Sequence, residues 1–200
     1  HTVEWQTELM HKYGIYGFCY FHYWFKGRKI LERPAENLLR WKDIKQSFCF
    51  AWANVTWART WSAYSEFTTD WVSNDKMADG NGVLIEQEYG NEKDWTEHYN
   101  YLREFFKDER YIKVNNMPVV LIYHIEYIIN MEEMLSCWDD LAKLDGFSGI
   151  HIVSMNTYAN SRYIKGIARY GQYGRYDRHP FINMKNRIIR KYKLPFRTGL

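Results

Sequence analysis

Long apolar runs are missing from this 200-residue chain. Nowhere do about 18 apolar residues follow one another, so no membrane-spanning helix is expected. The start carries no basic, apolar and small-residue succession of the secretory kind, and a cytoplasmic location is expected. Cysteine is scarce: Cys19, Cys49 and Cys137 form no Cys-x-x-Cys and leave an odd count. Two of them lie inside apolar runs, so inert core thiols in a reducing compartment are the expected state. No Gly-x-Ser-x-Gly elbow occurs, which argues against a nucleophilic serine. Neither Gly-x-Gly-x-x-Gly nor Gly-x-x-x-x-Gly-Lys is present, which removes the glycine loops that cradle phosphates. His22, His124 and His151 fall near three strand ends, but their spacing matches no metal-ligand signature. Sugar-hydroxyl contacts or core positions are expected for them, with no metal.

What the chain does have is aromatic bulk. It is 46% hydrophobic, 26% charged and 18% aromatic, with 9 Trp, 17 Tyr and 11 Phe. Disorder is excluded, and one domain over residues 1–200 with a substantial core is expected. The aromatic share exceeds what a core ordinarily needs, so some rings are expected to line a binding surface. The net charge of +3 hides an asymmetry. From Arg162 onward there are eleven Lys or Arg and one acid, Asp177, leaving 16 basic and 23 acidic residues before it. Such a run could meet phosphate-bearing donors, anionic lipid or nucleic acid; a solvated face is the preferred reading, with no nucleic-acid partner.

Two apolar runs, 17–25 and 48–53, pass straight into polar and aromatic residues. Each reads as a buried strand whose far end opens onto a site. A helix over Thr2 to Tyr13, stopped by Gly14, precedes the first, with Trp5, Leu9, Met10 and Tyr13 at near-helical spacing. A loop with Gly27 and Pro34 and a short helix near 35–41 separate the two, making a β-α-β unit with a right-handed crossover. Residues 62–82 lack periodicity and read as a long functional loop. Val83 to Ile85 resumes a strand, and Trp95, Tyr99, Leu102 and Phe106 stripe a helix over 94–107. A strand over 119–123 is entered through Pro118. Asn130 and Glu133 then suggest a capping box for a helix striped by Met131, Met134, Leu135, Trp138 and Leu141, ended by Gly146. A strand over 149–155 with Asn156 at its tip, a weak strand near 167–170 and a basic helix near 184–192 complete the series. Parallel strands alternating with helices bind ligands at the strands' carboxyl ends.

Those ends are rich in Trp, Tyr, His and Asn, a mixture suited to a sugar, whose C–H face packs on an aromatic ring while its hydroxyls need partners. Glycosyl chemistry needs carboxylates near the anomeric carbon. Glu126, between His124 and Tyr127, is the best-placed acid, with a salt bridge or helix-end role as the competing reading. Glu86 and Glu88 are a second pair. Asn54 is a hydroxyl ligand or a backbone cap. Trp24, Trp52, Trp57 and Trp61 are stacking platforms or core. His22, Tyr23, Tyr123, His124 and Asn156 complete the expected substrate contacts.

The blocks resemble the WbsX-type glycosyltransferase, or glycoside hydrolase family 99-like, domain of bacterial polysaccharide clusters. The matching stretches are Tyr13-Gly14 with Gly17 to Tyr20, His22 to Phe25, Glu36 to Leu39, and Trp52-Ala53-Asn54 with Trp57, Arg59 and Trp61. They continue with Leu84 to Gln87 and Tyr89, Phe105 to Asp108, Arg110 to Val114, Pro118 and Leu121 to Tyr123. The resemblance implies a TIM-type (β/α)8 barrel related to endo-α-mannosidases, acting on surface polysaccharide such as lipopolysaccharide O-antigen without metal or organic cofactor. The family's opening strand ends in a YLPQFH-like motif and its acid/base pair lies in an NEWxEG block, and neither occurs here. An incomplete barrel is therefore expected, with the first strand and C-terminal units missing, because a closed one needs ~250 residues. Where the family often reads Trp-Ala-Asn-Glu, Val55 follows Asn54.

The leading expectation is a carbohydrate-active domain that transfers or hydrolyses glycosyl units, with Glu126 and Glu86 catalytic. Its substrate would be an oligosaccharide or polysaccharide, its donor a nucleotide sugar or lipid-linked sugar. The alternative is a non-catalytic glycan-binding module on the same fold.

Overall fold

The computed structural model describes residues 2–58, 83–155, 157 and 159–169. The expectations for Arg59, Trp61, the 62–82 loop, Asn156 and the 184–192 helix lie outside these residues. Helix α1 (Thr2–Lys12) leads to β1 (Phe18–Phe25), β2 (Arg28–Ile30), α2 (Arg33–Arg40), β3 (Phe48–Trp52) and β4 (Trp57–Ala58). Then come β5 (Val83–Ile85), α3 (Glu92–Phe106), β6 (Lys113–Val114), β7 (Met117–Ile122), a 3-10 turn (Ile125–Tyr127), α4 (Met131–Leu144), β8 (His151–Met155) and β9 (Ile164–Ala168).

The central sheet runs β2-β1-β3-β7-β8-β9, with β6 paired to β7. From β1 to β9 the neighbours are parallel and follow chain order. Successive right-handed crossovers stepping in one direction put their helices on one face of the sheet. The packing agrees: the indole N–H of Trp138 on α4 donates to Trp95 O on α3 at 3.0 Å, and Trp52 of β3 lies against Trp138 with centroids 6.0 Å apart.

Two hairpins were not foreseen. Lys26 and Gly27 (φ 47° and 91°) turn β1 back into antiparallel β2. Asn115 and Asn116 (φ 51° and 59°) do the same between β6 and β7. Two consecutive positive φ values suit the two-residue turns that match strand twist, and Gly and Asn tolerate them best. Pro118 therefore lies inside β7, opposite Lys113, rather than before the strand.

Alternation sorts the side chains. Tyr20 and Trp24 of β1, Phe48, Phe50 and Trp52 of β3, and Val120 and Ile122 of β7 join the core with Leu102, Phe105, Phe106 and Trp138, and His22 of β1 is buried against Phe50. Burying each such side chain is worth roughly 1.5–3 kcal/mol. Many of the surplus aromatics are thus consumed by core: Trp24, Phe25, Phe48, Phe50, Trp52, Trp95, Tyr99, Phe105, Phe106, Tyr111, Trp138 and Tyr163 are buried. The helix over the first residues forms as expected, but Trp5 and Tyr13 are exposed and Met10 is its buried apolar residue. Asn91 caps α3 with Asp94 in a reciprocal capping box, whereas Asn130 makes no side-chain cap bond to α4. Cys19, expected in the core, is exposed, whereas Cys49 is buried.

Candidate functional site

Where β3 and β7 end, their chains are tied together by one side chain. Asn54, fully buried, accepts from His124 N at 2.8 Å through its Oδ1 and donates from Nδ2 to His124 O at 2.7 Å. The primary amide is geometrically equivalent to a strand neighbour, so it continues the ladder two residues past the sheet. The backbone O of Asn54 accepts from the Tyr89 hydroxyl at 3.0 Å, and Asn54 Nδ2 also reaches that oxygen at 3.3 Å. Asn54 is a backbone clamp, the second of its two expected roles.

The clamp positions His124, and His124 positions Glu126. On the 3-10 turn the carboxylate Oε1 accepts from His124 Nδ1 at 2.8 Å and from Thr157 Oγ1 at 3.1 Å. Thr157 is brought from the end of β8, where its carbonyl accepts from Ser154 Oγ at 2.6 Å. The Tyr127 ring stacks on His124 at 4.5 Å with planes 7° apart, and Tyr123 meets it edge-on at 4.4 Å. With Nδ1 engaged by the carboxylate, His124 Nε2 is buried and has no partner among the described residues. Burial pushes the Tyr89 hydroxyl well above its ordinary pKa, and the nearby Tyr127 and Glu126 add to the rise although its bond to Asn54 opposes it. Tyr89 stays a protonated donor beside the carboxylate. Glu126 itself keeps a third of its side chain exposed, so it can be approached from solvent.

The other expected residues distribute differently. His22, Trp24 and Trp52 point into the helical layer. His22 Nε2 lies 2.8 Å from His98 Nε2, Trp24 stacks on His98 at 4.7 Å with planes 1° apart, and Tyr101 stacks on His22 at 5.6 Å. Burial, then the charge of Lys29, lowers His22 to about 3, while burial and His22 hold His98 well below the usual range. This is a neutral, aromatic-boxed pair on the far side of the sheet from Tyr23. A small crevice lies beside it, lined by Trp24, Lys26, Trp52, Glu88, Tyr89 and Trp95 among others. Tyr89 is the wall this crevice shares with the Asn54 clamp.

Tyr23 and Trp57 meet edge-on at 5.2 Å, and Phe25 lies 6.1 Å from Trp57. Trp57 comes from a two-stranded ribbon, β4 with β5, that carries Ile85 opposite it. The ribbon brackets residues 59–82. Glu86 follows β5, is exposed, and has no ion-pair partner among the described residues; Glu88 bridges Lys26 at 3.0 Å. Asn156 lies outside the described residues.

Asn54, Tyr123, His124 and Glu126 thus come together, joined by Tyr89, Tyr127 and Thr157, while His22 and Trp24 do not join them. Thr157 and His98 carry no sequence signal, since each gains its meaning from a partner more than thirty residues away. A carboxylate oriented by an imidazole and a hydroxyl, beside tyrosine donors, is competent to exchange a proton with a sugar hydroxyl or to face positive charge at an anomeric carbon.

Two relatives, each called "uncharacterized protein WxcX", from Xanthomonas campestris pv. campestris strains B100 and ATCC 33913, are 26% identical over 147 residues. That alignment covers 74% of this chain and 19% of each relative, so the chain spans about a fifth of the length of the curated proteins it matches. No solved structure gives a significant match. The family model of glycosyltransferase WbsX matches residues 1–193, and the chain belongs to that family.

Proposed function

We propose that this domain acts on glycosidic bonds during assembly of bacterial surface polysaccharide, with Glu126 as its proton-transferring or charge-stabilising carboxylate. Family membership supports a sugar substrate and a role in polysaccharide biosynthesis. The observation that carries the residue assignment is Glu126 at the carboxyl end of a parallel sheet, held by His124 and Thr157 and still reachable from solvent. We assign residues 1–200 to a single, incomplete domain of the (β/α)8 type, a reading supported by the chain-order succession of parallel strands from β1 to β9 with helices on one face. A barrel of this kind is the basis for kinship to family 99 endo-α-mannosidases, and it places catalysis at the carboxyl end. Glu86 is the second carboxylate, exposed on the ribbon. Tyr23 and Trp57 offer the ring surface for a sugar face, and Tyr123 and Tyr89 offer hydroxyls. The donor is a nucleotide sugar or a lipid-linked sugar.

The test uses the full-length protein with nucleotide-sugar donors and with α-mannosides. Glu126→Gln, which keeps shape and removes charge, is expected to lower turnover by about 10²- to 10⁴-fold, the usual share of acid–base catalysis, with glycan affinity unchanged. Turnover equal to wild type removes Glu126 from the mechanism. A second reading has two observations in its favour: the described Glu126 cluster contains a single carboxylate, and Val55 follows Asn54. It predicts glycan binding without turnover, indifferent to Glu126→Gln, as in a binding module.

A further inference from the structure

The two oxygens of the Glu126 carboxylate are not equivalent. Oε1 receives both hydrogen bonds of the cluster, from His124 Nδ1 at 2.8 Å and from Thr157 Oγ1 at 3.1 Å. Oε2 has no partner among the described residues, and the side chain keeps 33% of its surface exposed. The imidazole is held in this orientation from several sides. Tyr127 covers one face with centroids 4.5 Å apart, Tyr123 meets the ring edge-on at 4.4 Å, and Asn54 fixes the His124 backbone through bonds of 2.8 Å and 2.7 Å.

The buried Nε2 decides which ring nitrogen carries the hydrogen. It has no partner among the described residues. Orphaned N–H groups are rarer in protein interiors than unfilled acceptors, so Nε2 is the bare nitrogen and Nδ1 the donor. Thr157 donates as well, and the lone-pair directions of Oε1 are both filled. A carboxylic proton has no place on Oε1. The oxygen left for chemistry is Oε2, an acceptor open to solvent.

We propose that Glu126 is the general base of glycosyl transfer, taking the proton of the acceptor hydroxyl on Oε2, that His124 and Thr157 are its positioning residues, and that the donor is a sugar carried on phosphate. This rests on the reading of Glu126 as the working carboxylate. A base at the acceptor suits a leaving group that departs without a proton. Phosphate and diphosphate do so, whereas the oxygen of an ordinary glycoside needs an acid to leave. In the step, the acceptor oxygen bonds to the anomeric carbon as its proton passes to Oε2. The bond from that carbon to the phosphate oxygen breaks, and its electron pair leaves on the phosphate. Glu126 then returns the proton to solvent through its exposed edge.

The full-length protein is assayed with nucleotide sugars and with lipid diphosphate sugars, which separate the two sources of a phosphate-borne sugar, and with methyl and para-nitrophenyl α-mannosides. Wild type is expected to turn over one of the phosphate donors, with kcat/KM falling towards low pH as the base takes up a proton. Glu126→Gln is expected to lose about 10²- to 10⁴-fold with that donor and to lose the low-pH fall. In Glu126→Ala, added formate or azide is expected to restore part of the rate. His124→Phe is expected to lower kcat about 10- to 100-fold, the share of one hydrogen bond to a charged group, with KM unchanged; His124→Asn, which keeps a donor, is expected to recover most of it. Wild-type turnover confined to glycosides, or a wild-type kcat/KM that does not fall at low pH, overturns the proposal whether or not the variants fold. So does a Glu126→Gln protein that is slow with the methyl glycoside yet near wild type with the para-nitrophenyl one and with phosphate donors, the mark of an acid. Glu126→Gln equal to wild type with every substrate removes Glu126 altogether, so failure of the base role and failure of the carboxylate assignment give different results.

Discussion

Asn54 and His22 illustrate how the same residue types serve opposite ends. Both are polar and sit near the ends of apolar strands, yet Asn54 spends its hydrogen bonds on the neighbouring backbone and His22 spends its own on another buried histidine. The His22–His98 bond needs one ring to donate and the other to accept, so protonating both destroys it. Both histidines are held below their ordinary pKa by burial in the fold. The folded state therefore binds fewer protons than the unfolded chain once pH drops below about 6.5, and stability falls with falling pH. We expect stability to be flat above pH 7 and to lose roughly 2–4 kcal/mol between pH 6.5 and 5, most of it restored when both histidines are replaced by Phe. Urea titrations across that range read the effect directly, and an unchanged midpoint at pH 5 would falsify it.

Among elements, the β1–β3 pair is closely joined where it begins. A Cβ on Gly17 would lie 2.6 Å from Ser47 O and 3.0 Å from Ser47 C, both backbone atoms. Ser47 O also accepts from Phe18 N at 2.9 Å, so the contact starts the ladder that carries Tyr23 and Asn54 to the site. Backbone cannot rotate away as a side chain can. Gly17→Ala is expected to cost ~1–3 kcal/mol by pushing the strand starts apart, seen as a lower denaturant midpoint with unchanged slope. A variant as stable as wild type would show that the strands separate without penalty. The cap of α3 is a contrasting case, because Asn91 and Asp94 satisfy each other within one turn and are local to the sequence.

Across the whole described unit, one buried charge pair joins parts remote in sequence. Arg110 donates from Nε and Nη2 to the Asp108 carboxylate, each at 2.8 Å. Its remaining donors go to the carbonyls of Leu38, Trp41 and Ile44, at and beyond the end of α2. All five guanidinium N–H groups are used, and Asp108 is held well below the usual carboxylate range by Arg110 and Lys42 against the opposing effect of burial. Arg110→Met leaves Asp108 buried with the exposed Lys42 as its remaining charged partner and removes the guanidinium donors from three carbonyls. A loss of ~3–5 kcal/mol in unfolding free energy is expected. Replacing Asp108 and Arg110 together by apolar residues is expected to cost less than Arg110→Met alone, a double-mutant cycle that separates the pair from the capping of α2.

Period-two and helical patterning, glycine stops and the runs at 17–25 and 48–53 were sufficient for the main helices and the parallel strands of the central sheet, because burial of apolar side chains is written in local spacing, but not for Val83–Ile85, which pairs antiparallel with Trp57–Ala58 in a separate ribbon. The hairpins at Lys26-Gly27 and Asn115-Asn116 were open to recognition from turn chemistry alone. What alternation could not say is which face of the sheet meets the helices, and that choice sent His22 and Trp24 into the core while bringing His124 and Glu126 to the ends. Thr157 on Glu126, His98 on His22 and Arg110 on the end of α2 are contacts across 31, 76 and 66 to 72 residues, and these are set only when the strands have been stacked in register.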